Sequence, residues 1–183
     1  MSHSLLRVLA PAVFSLAVAI PAAAQPPSGV MSDLLADVKE AKGKIVGLAK
    51  AMPEAAWEWR PGPGVRSTKE VLVHLTGDNY FIPVGAGSTA PAETGIGAEY
   101  KTVAAFEKRT RTRDQVLAEL ETSFVFLEQQ MTATTEAKLA TPSKWPNTST
   151  RQLWIAAATH LHEHLGQLIA YARSNKITPP WSK

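Results

Sequence analysis

The chain has 183 residues, 45% of them apolar and 19% charged, with a formal net charge of +3. That length supports one domain whose core needs no covalent staple, and so small a charge excludes a nucleic-acid footprint. There are no cysteines, which excludes a disulfide framework, a thiolate zinc site and a thiol nucleophile, so any metal must be held by nitrogen and oxygen.

Residues 1–24 read as a cleavable signal peptide. Arg7 lies in the n-region, an apolar stretch covers 8–20, and Ala22 and Ala24 give the small-x-small cleavage pattern. Pro11 and Pro21 bracket a run too short for a membrane anchor, which needs about 20 apolar residues. The expectation is an exported, periplasmic protein that does not insert into a membrane after cleavage, with one domain over 25–183. His3 leaves with the leader and four histidines remain.

The first helix is expected over about 30–51. Leu34, Leu35, Val38, Ile45, Leu48 and Ala49 form one apolar face, Ser28 or Ser32 is available as a cap, and Pro53 ends it. The second is expected from Ser67, whose partner Glu70 three residues on completes a capping box, to about Ile82, where Pro83 stops it. Residues 85–97 read as a surface loop and 100–108 as a short helical piece. Lys108, Arg109, Arg111 and Arg113 read as a solvated connection. The third long helix starts near Asp114 behind Thr112 or Arg113, with Val116, Leu117, Leu120, Phe124, Leu127 and Met131 inward. After a loop over 132–149, the fourth covers about 150–175, with Leu153, Trp154, Ala157, Leu161, Leu165 and Leu168 inward and Asn175 as its C-cap. No alternating strand pattern competes. The fold class is all-α, a four-helix bundle.

Three histidines fall within five positions of the fourth helix. Residues four apart on a helix lie about 40° apart around the axis and about 6 Å along it, so His160 and His164 share a face. His162 points about 160° away, to the surface or the flank of a neighbour. A third ligand must come from another element, and His74 stands on the apolar stretch Val71-Leu72-Val73-His74-Leu75. Burying an imidazole there without a partner would cost roughly 1–3 kcal/mol, and a shared ion removes that cost. The alternative is a hydrogen-bonded core histidine and a structurally unrelated pair. Three nitrogens with an open fourth position match catalytic zinc, and nickel, iron(II), cobalt and manganese accept the same donors. Asp78, four residues after His74, could hydrogen-bond a water or ligand at such a site; its other reading is a solvated helix-end carboxylate. Gln167, three residues after His164, could orient that ring. Glu163 reads as surface, Gly166 as permitting close helix packing, and Tyr80, Phe81 and Trp145 as core aromatics near an entrance.

His160-Leu-His-Glu-His164-Leu-Gly166-Gln167 resembles the HxxxHxGQ signature of the DinB-like superfamily. Val71-Leu-Val-His74-Leu resembles that family's second-helix histidine, and Trp59-Arg60-Pro61 with Gly64 and Ser67 resembles its approach to that helix. The resemblance implies an up-down-down-up bundle with a long crossover, a three-histidine site usually filled with zinc or nickel, and frequent homodimers. Characterised relatives include thiol S-transferases that use bacillithiol or mycothiol and a thiol-dependent maleylpyruvate isomerase. The expectation is one divalent ion on His74, His160 and His164, in a metal-dependent hydrolase or thiol S-transferase acting on an unknown small molecule. The alternative is a non-enzymatic periplasmic metal-binding or stress-related bundle.

Overall fold

The structure is a computed structural model and describes residues 29–182. The expected signal peptide lies outside the described residues. Four long helices, α1 (Val30–Ala51), α3 (Thr68–Gly85), α5 (Arg113–Thr132) and α7 (Thr150–Ser174), are joined through three shorter ones, α2 (Glu54–Glu58), α4 (Tyr100–Glu107) and α6 (Glu136–Leu139). Among the described residues there is no strand, only an isolated bridge between Pro142 and Ser149. No helix among them is long and apolar enough to cross a membrane.

The pairing of the long helices is not sequential. α1 packs on α5 and α7, and α3 packs on the same two. The pairs α1/α3 and α5/α7 therefore lie across the diagonals. The core is filled from all four by Val38, Ile45 and Leu48 of α1, Leu72 and Leu75 of α3, Leu120 and Phe124 of α5, and Trp154 and Leu161 of α7, all essentially without solvent exposure.

Local signals explain most boundaries. Ser67 and Glu70 close the expected capping box, with Ser67 Oγ accepting from Glu70 N and Glu70 Oε2 accepting from Ser67 N at 2.7 Å. Thr112 with Gln115 and Ser149 with Gln152 form two more. Asn175 caps α7 as expected. α1 starts instead at Gly29, with no side-chain cap, so the expectation for Ser32 fails; Gly29 has φ 57°, a conformation open to glycine.

Three further expectations need correction. Pro83 does not stop α3, which continues to Gly85. In the last turn the missing N–H removes a single bond, and only two residues follow, so the penalty of an interior proline does not apply in full. The segment after α3 is not simply a surface loop: Ala86, Ala90, Thr94 and Ile96 are buried, and a 3₁₀ turn covers Ala92–Thr94. The basic run is not uniformly solvated. Arg111 is 6% exposed, with its guanidinium 4.2 Å from the Phe106 ring centroid. Arg113 Nη2 donates to the carbonyls of Ala49, Lys50 and Met52 and so satisfies the open C-terminal end of α1.

α3 is the helix that matters for function. Between Val71 and Phe81 every residue is buried. It is covered by α5 and α7 on the bundle side and by α4 and α2 on the other. A helix enclosed all round has no face on which to solvate a polar side chain. His74 and Asp78 therefore require partners inside the protein. Gly77 permits the close approach of α4: a Cβ there would stand 3.1 Å from Val103 Cγ1 and 3.5 Å from Phe106 Cδ1.

Candidate metal centre

α3 and α7 pack directly on each other, and His74 faces His160 and His164 across their contact. The three ring centroids are 4.5–5.1 Å apart, each pair edge to face. One ligand atom from each ring can be chosen so that all three lie within 4.8 Å of one another. Ligands about 2.1 Å from one tetrahedral ion stand roughly 3.4 Å apart, so the three rings would draw together on binding one.

Two of the rings have their far nitrogen fixed. His74 Nδ1 donates to Glu107 Oε1 at 2.7 Å, because an ionised carboxylate only accepts. His164 Nδ1 donates to Gln167 Oε1 at 2.7 Å. The amide orientation of Gln167 follows from its other end: Nε2 donates to the Tyr171 hydroxyl at 2.8 Å, and that hydroxyl donates to Arg66 O at 3.1 Å. Both rings are thereby set in the tautomer that leaves the Nε2 lone pair free for an ion. Partners of this kind orient metal-binding imidazoles and raise their basicity.

Asp78, 8% exposed, lies against two of the three rings, those of His74 and His160. Its Oδ2 is 2.9 Å from His160 Nε2 and 3.4 Å from His74 Nε2. The shorter contact lacks hydrogen-bond geometry, and both His160 Nε2 and Asp78 Oδ1 are buried atoms without a hydrogen-bond partner among the described residues. Unsatisfied polar atoms are costly inside a protein, and converging lone pairs from nitrogen and oxygen are what a divalent cation would satisfy. The carboxylates of Asp78 and Glu107 also balance the charge of one such ion. The donor set thus fits a divalent metal.

The electrostatics favour the ligand forms. Burial pushes the His164 imidazole below its ordinary value, the hydrogen bond to Gln167 works against this, and the neighbouring His160 and His74 reinforce it. The hydrogen bond from His74 holds the Glu107 carboxyl below the usual carboxylate range, against the effect of its own burial, and Arg66 at 3.5 Å adds to the lowering. A neutral His164 and an ionised Glu107 at neutral pH are the states a metal requires.

The structure brings His74, His160 and His164 together, with Asp78 against two of the rings and Gln167 against the third. Glu107 is the member that sequence reasoning missed. His162 is exposed and pairs with Asp37 of α1 at 2.9 Å, on the flank of the neighbouring helix. Gly166 is exposed, and a methyl added there would meet nothing within 4 Å, so close packing does not account for it. Tyr80 packs with Phe106 and Phe126, and Phe81 with Trp145 and Tyr100.

Residues 38–168 match the family model described as the DinB superfamily. The chain belongs to the DinB superfamily. Two solved structures share the DinB fold. A DinB-like protein from Bacillus subtilis is 16% identical with TM-score 0.62, the match covering 80% of this chain and 94% of that one. A DinB-family protein from Exiguobacterium sibiricum is 23% identical with TM-score 0.59, covering 80% and 92%. A comparison with curated proteins gives no match. In this DinB-superfamily bundle the three histidines could form a metal site.

Glu107→Gln tests the Glu107–His74 pair. The amide keeps the shape and loses the charge. Removing a partner of this kind weakens metal binding by about 10–100-fold, read by competition against a chromophoric chelator. An unchanged affinity would show that Glu107 does not govern the ring.

Proposed function

We propose that this chain is a divalent-metal-dependent enzyme, of hydrolase or thiol S-transferase type, acting on a small molecule. The observation that carries the reading is the convergence of His74, His160 and His164 with the far nitrogens of two rings anchored, beside an unsatisfied Asp78. Zinc or nickel suits three imidazoles best, as in the family the chain belongs to. When bound, such an ion supplies a Lewis acid that acidifies a coordinated water or thiol. Asp78 Oδ2 lies 3.4 Å from His74 Nε2 and 2.9 Å from His160 Nε2, and in this reading it would accept a proton during turnover. Gln167 and Glu107 hold the rings against rotation. Export to the periplasm and homodimer formation belong to the same proposal, the first from the leader residues and the second from the family. The diagonal placement of α1 and α3 supports an up-down-down-up order, since short-looped up-and-down bundles make successive helices neighbours.

A second reading is favoured by one observation. Asp78 Oδ2 stands close enough to two of the nitrogens to fill the fourth position itself, which would give a closed, structural site. Asp78→Asn separates the two. Metal-loaded wild type and variant are screened against ester, amide and thiol-acceptor panels. In the enzyme, the variant keeps its metal and loses about 10²–10⁴-fold in turnover. Loss of metal from the variant, with no turnover by wild type across the panel, supports the structural reading.

A further inference from the structure

A cleft of about 680 Å³ lies against Glu107, between the start of α3, the approach to it, and the C-terminal end of α4. The three histidines do not line it. Its volume is in the range of small-molecule sites. Six cationic side chains line it: Arg60, Arg66, Lys69, Lys108, Arg109 and Arg111. The lining carboxylates are Glu58, Glu70 and Glu107, each already engaged, by Lys69 at 3.2 Å, Arg60 at 3.1 Å and Arg66 at 3.5 Å respectively. Glu107 also holds His74. Positive charge is therefore in excess. Lys108 makes no ion pair among the described residues, and Arg109 donates only to the carbonyls of Glu93 and Thr94. Arg111, 6% exposed, uses Nε on Glu119 and Nη1 on two carbonyls but leaves Nη2 buried without a partner. Val73 and Ala104 add an apolar part to the wall.

We propose that this cleft binds a compact dianionic small molecule, a phosphate ester or a dicarboxylate. The guanidinium of Arg66 offers a planar fork and Lys108 a point charge, the pair suited to two-oxygen recognition. The apolar wall receives the organic body. A concave site of this size, on a chain with a net charge of only +3, fits a small anion rather than a nucleic acid. The site also reports to the metal centre. An anion that takes Arg66 leaves Glu107 to His74 alone, so anion and metal affinities are linked, and by the same factor in both directions.

The test is calorimetric titration of the metal-free full chain at low salt, with inorganic phosphate in one arm and malonate in the other. The use of metal-free protein keeps a negative result here distinct from a failure of the metal reading. The expected result is saturable binding in one or both arms, with a Kd on the order of 1 mM or tighter. Arg66→Gln and Lys108→Gln are expected to weaken it at least ~10-fold, and rising salt to weaken it further. Lys108 is exposed and its variant is not a folding risk. Binding in one arm alone identifies the phosphoryl or the dicarboxylate ligand. No saturable binding in either arm, or variants that bind as wild type does, overturns the proposal.

Discussion

Wild type is expected to carry near one equivalent of a divalent ion, and His160→Ala and His164→Ala are each expected to empty the site, as read by plasma mass spectrometry after dialysis. Each substitution removes one of only three nitrogen donors. The two remaining imidazoles and Asp78 still face the gap, but their mutual repulsion and desolvation are then left without the full set that offsets them. A loss larger than the about 10–100-fold of a supporting residue is expected. His162→Ala is the matched control: it lies on the same helix, is exposed, and pairs with Asp37 rather than with the cluster. It should keep the metal. Wild type grown with ample metal that contains none would remove both the enzymatic and the structural reading.

Trp57→Ala is expected to give the largest loss of stability. The indole is fully buried, its Nε1 donates to Ala49 O at 3.1 Å, and the Arg113 guanidinium lies 5.0 Å from its ring centroid. Three elements meet on it: α2, the end of α1 and the start of α5. Truncation of a buried Trp costs about 3–5 kcal/mol, a large part of a typical total of about 5–15 kcal/mol. At roughly 2–4 °C per kcal/mol for a chain of this size, the midpoint should fall by about 6–20 °C in thermal denaturation followed by circular dichroism. Trp57→Phe should recover much of it. A shift within about 2 °C would show that α2 does not brace the bundle.

The long helices were legible because their signals are local. The apolar face of α1, and the Ser67 and Asn175 caps, are written within a few residues of where they act. So were His160 and His164, which one helical turn brings together, and Gln167, one turn further. The partnership with His74 needed a packing assumption, that the second and fourth long helices touch, and the structure supplies that contact. Glu107 was beyond reach. It is 33 residues from His74, on a helix of eight residues, and nothing in its spacing couples the two. The one available signal was chemical: a ligand imidazole wants an acceptor for its second nitrogen, so a carboxylate near His74 was to be sought. Arg111 and Arg113 depart from their local pattern for a related reason. A basic run usually solvates, and only tertiary structure shows that one guanidinium covers Phe106 while the other closes the end of α1. The short helices α2 and α6 are not legible in the sequence, because four or five residues carry too little periodicity to register.

The shared feature of the well-read and missed residues is the enclosure of α3. Sequence alone marks it as apolar from Val71 to Leu75, which explains a buried His74. It does not reveal that Asp78 and Asn79 are buried as well. Asn79 finds Ser123 Oγ at 3.0 Å, whereas Asp78 is left facing the histidines with one oxygen unsatisfied. That contrast between neighbouring residues is the clearest structural argument that something charged belongs beside Asp78.

X-ray absorption at the edge of the bound metal tests the central claim most directly. The account predicts one ion with three imidazole nitrogens in its first shell, at about 2.0–2.1 Å for zinc, and loss of that metal signal in His74→Ala. A spectrum with one imidazole or none, unchanged by that substitution, would contradict it.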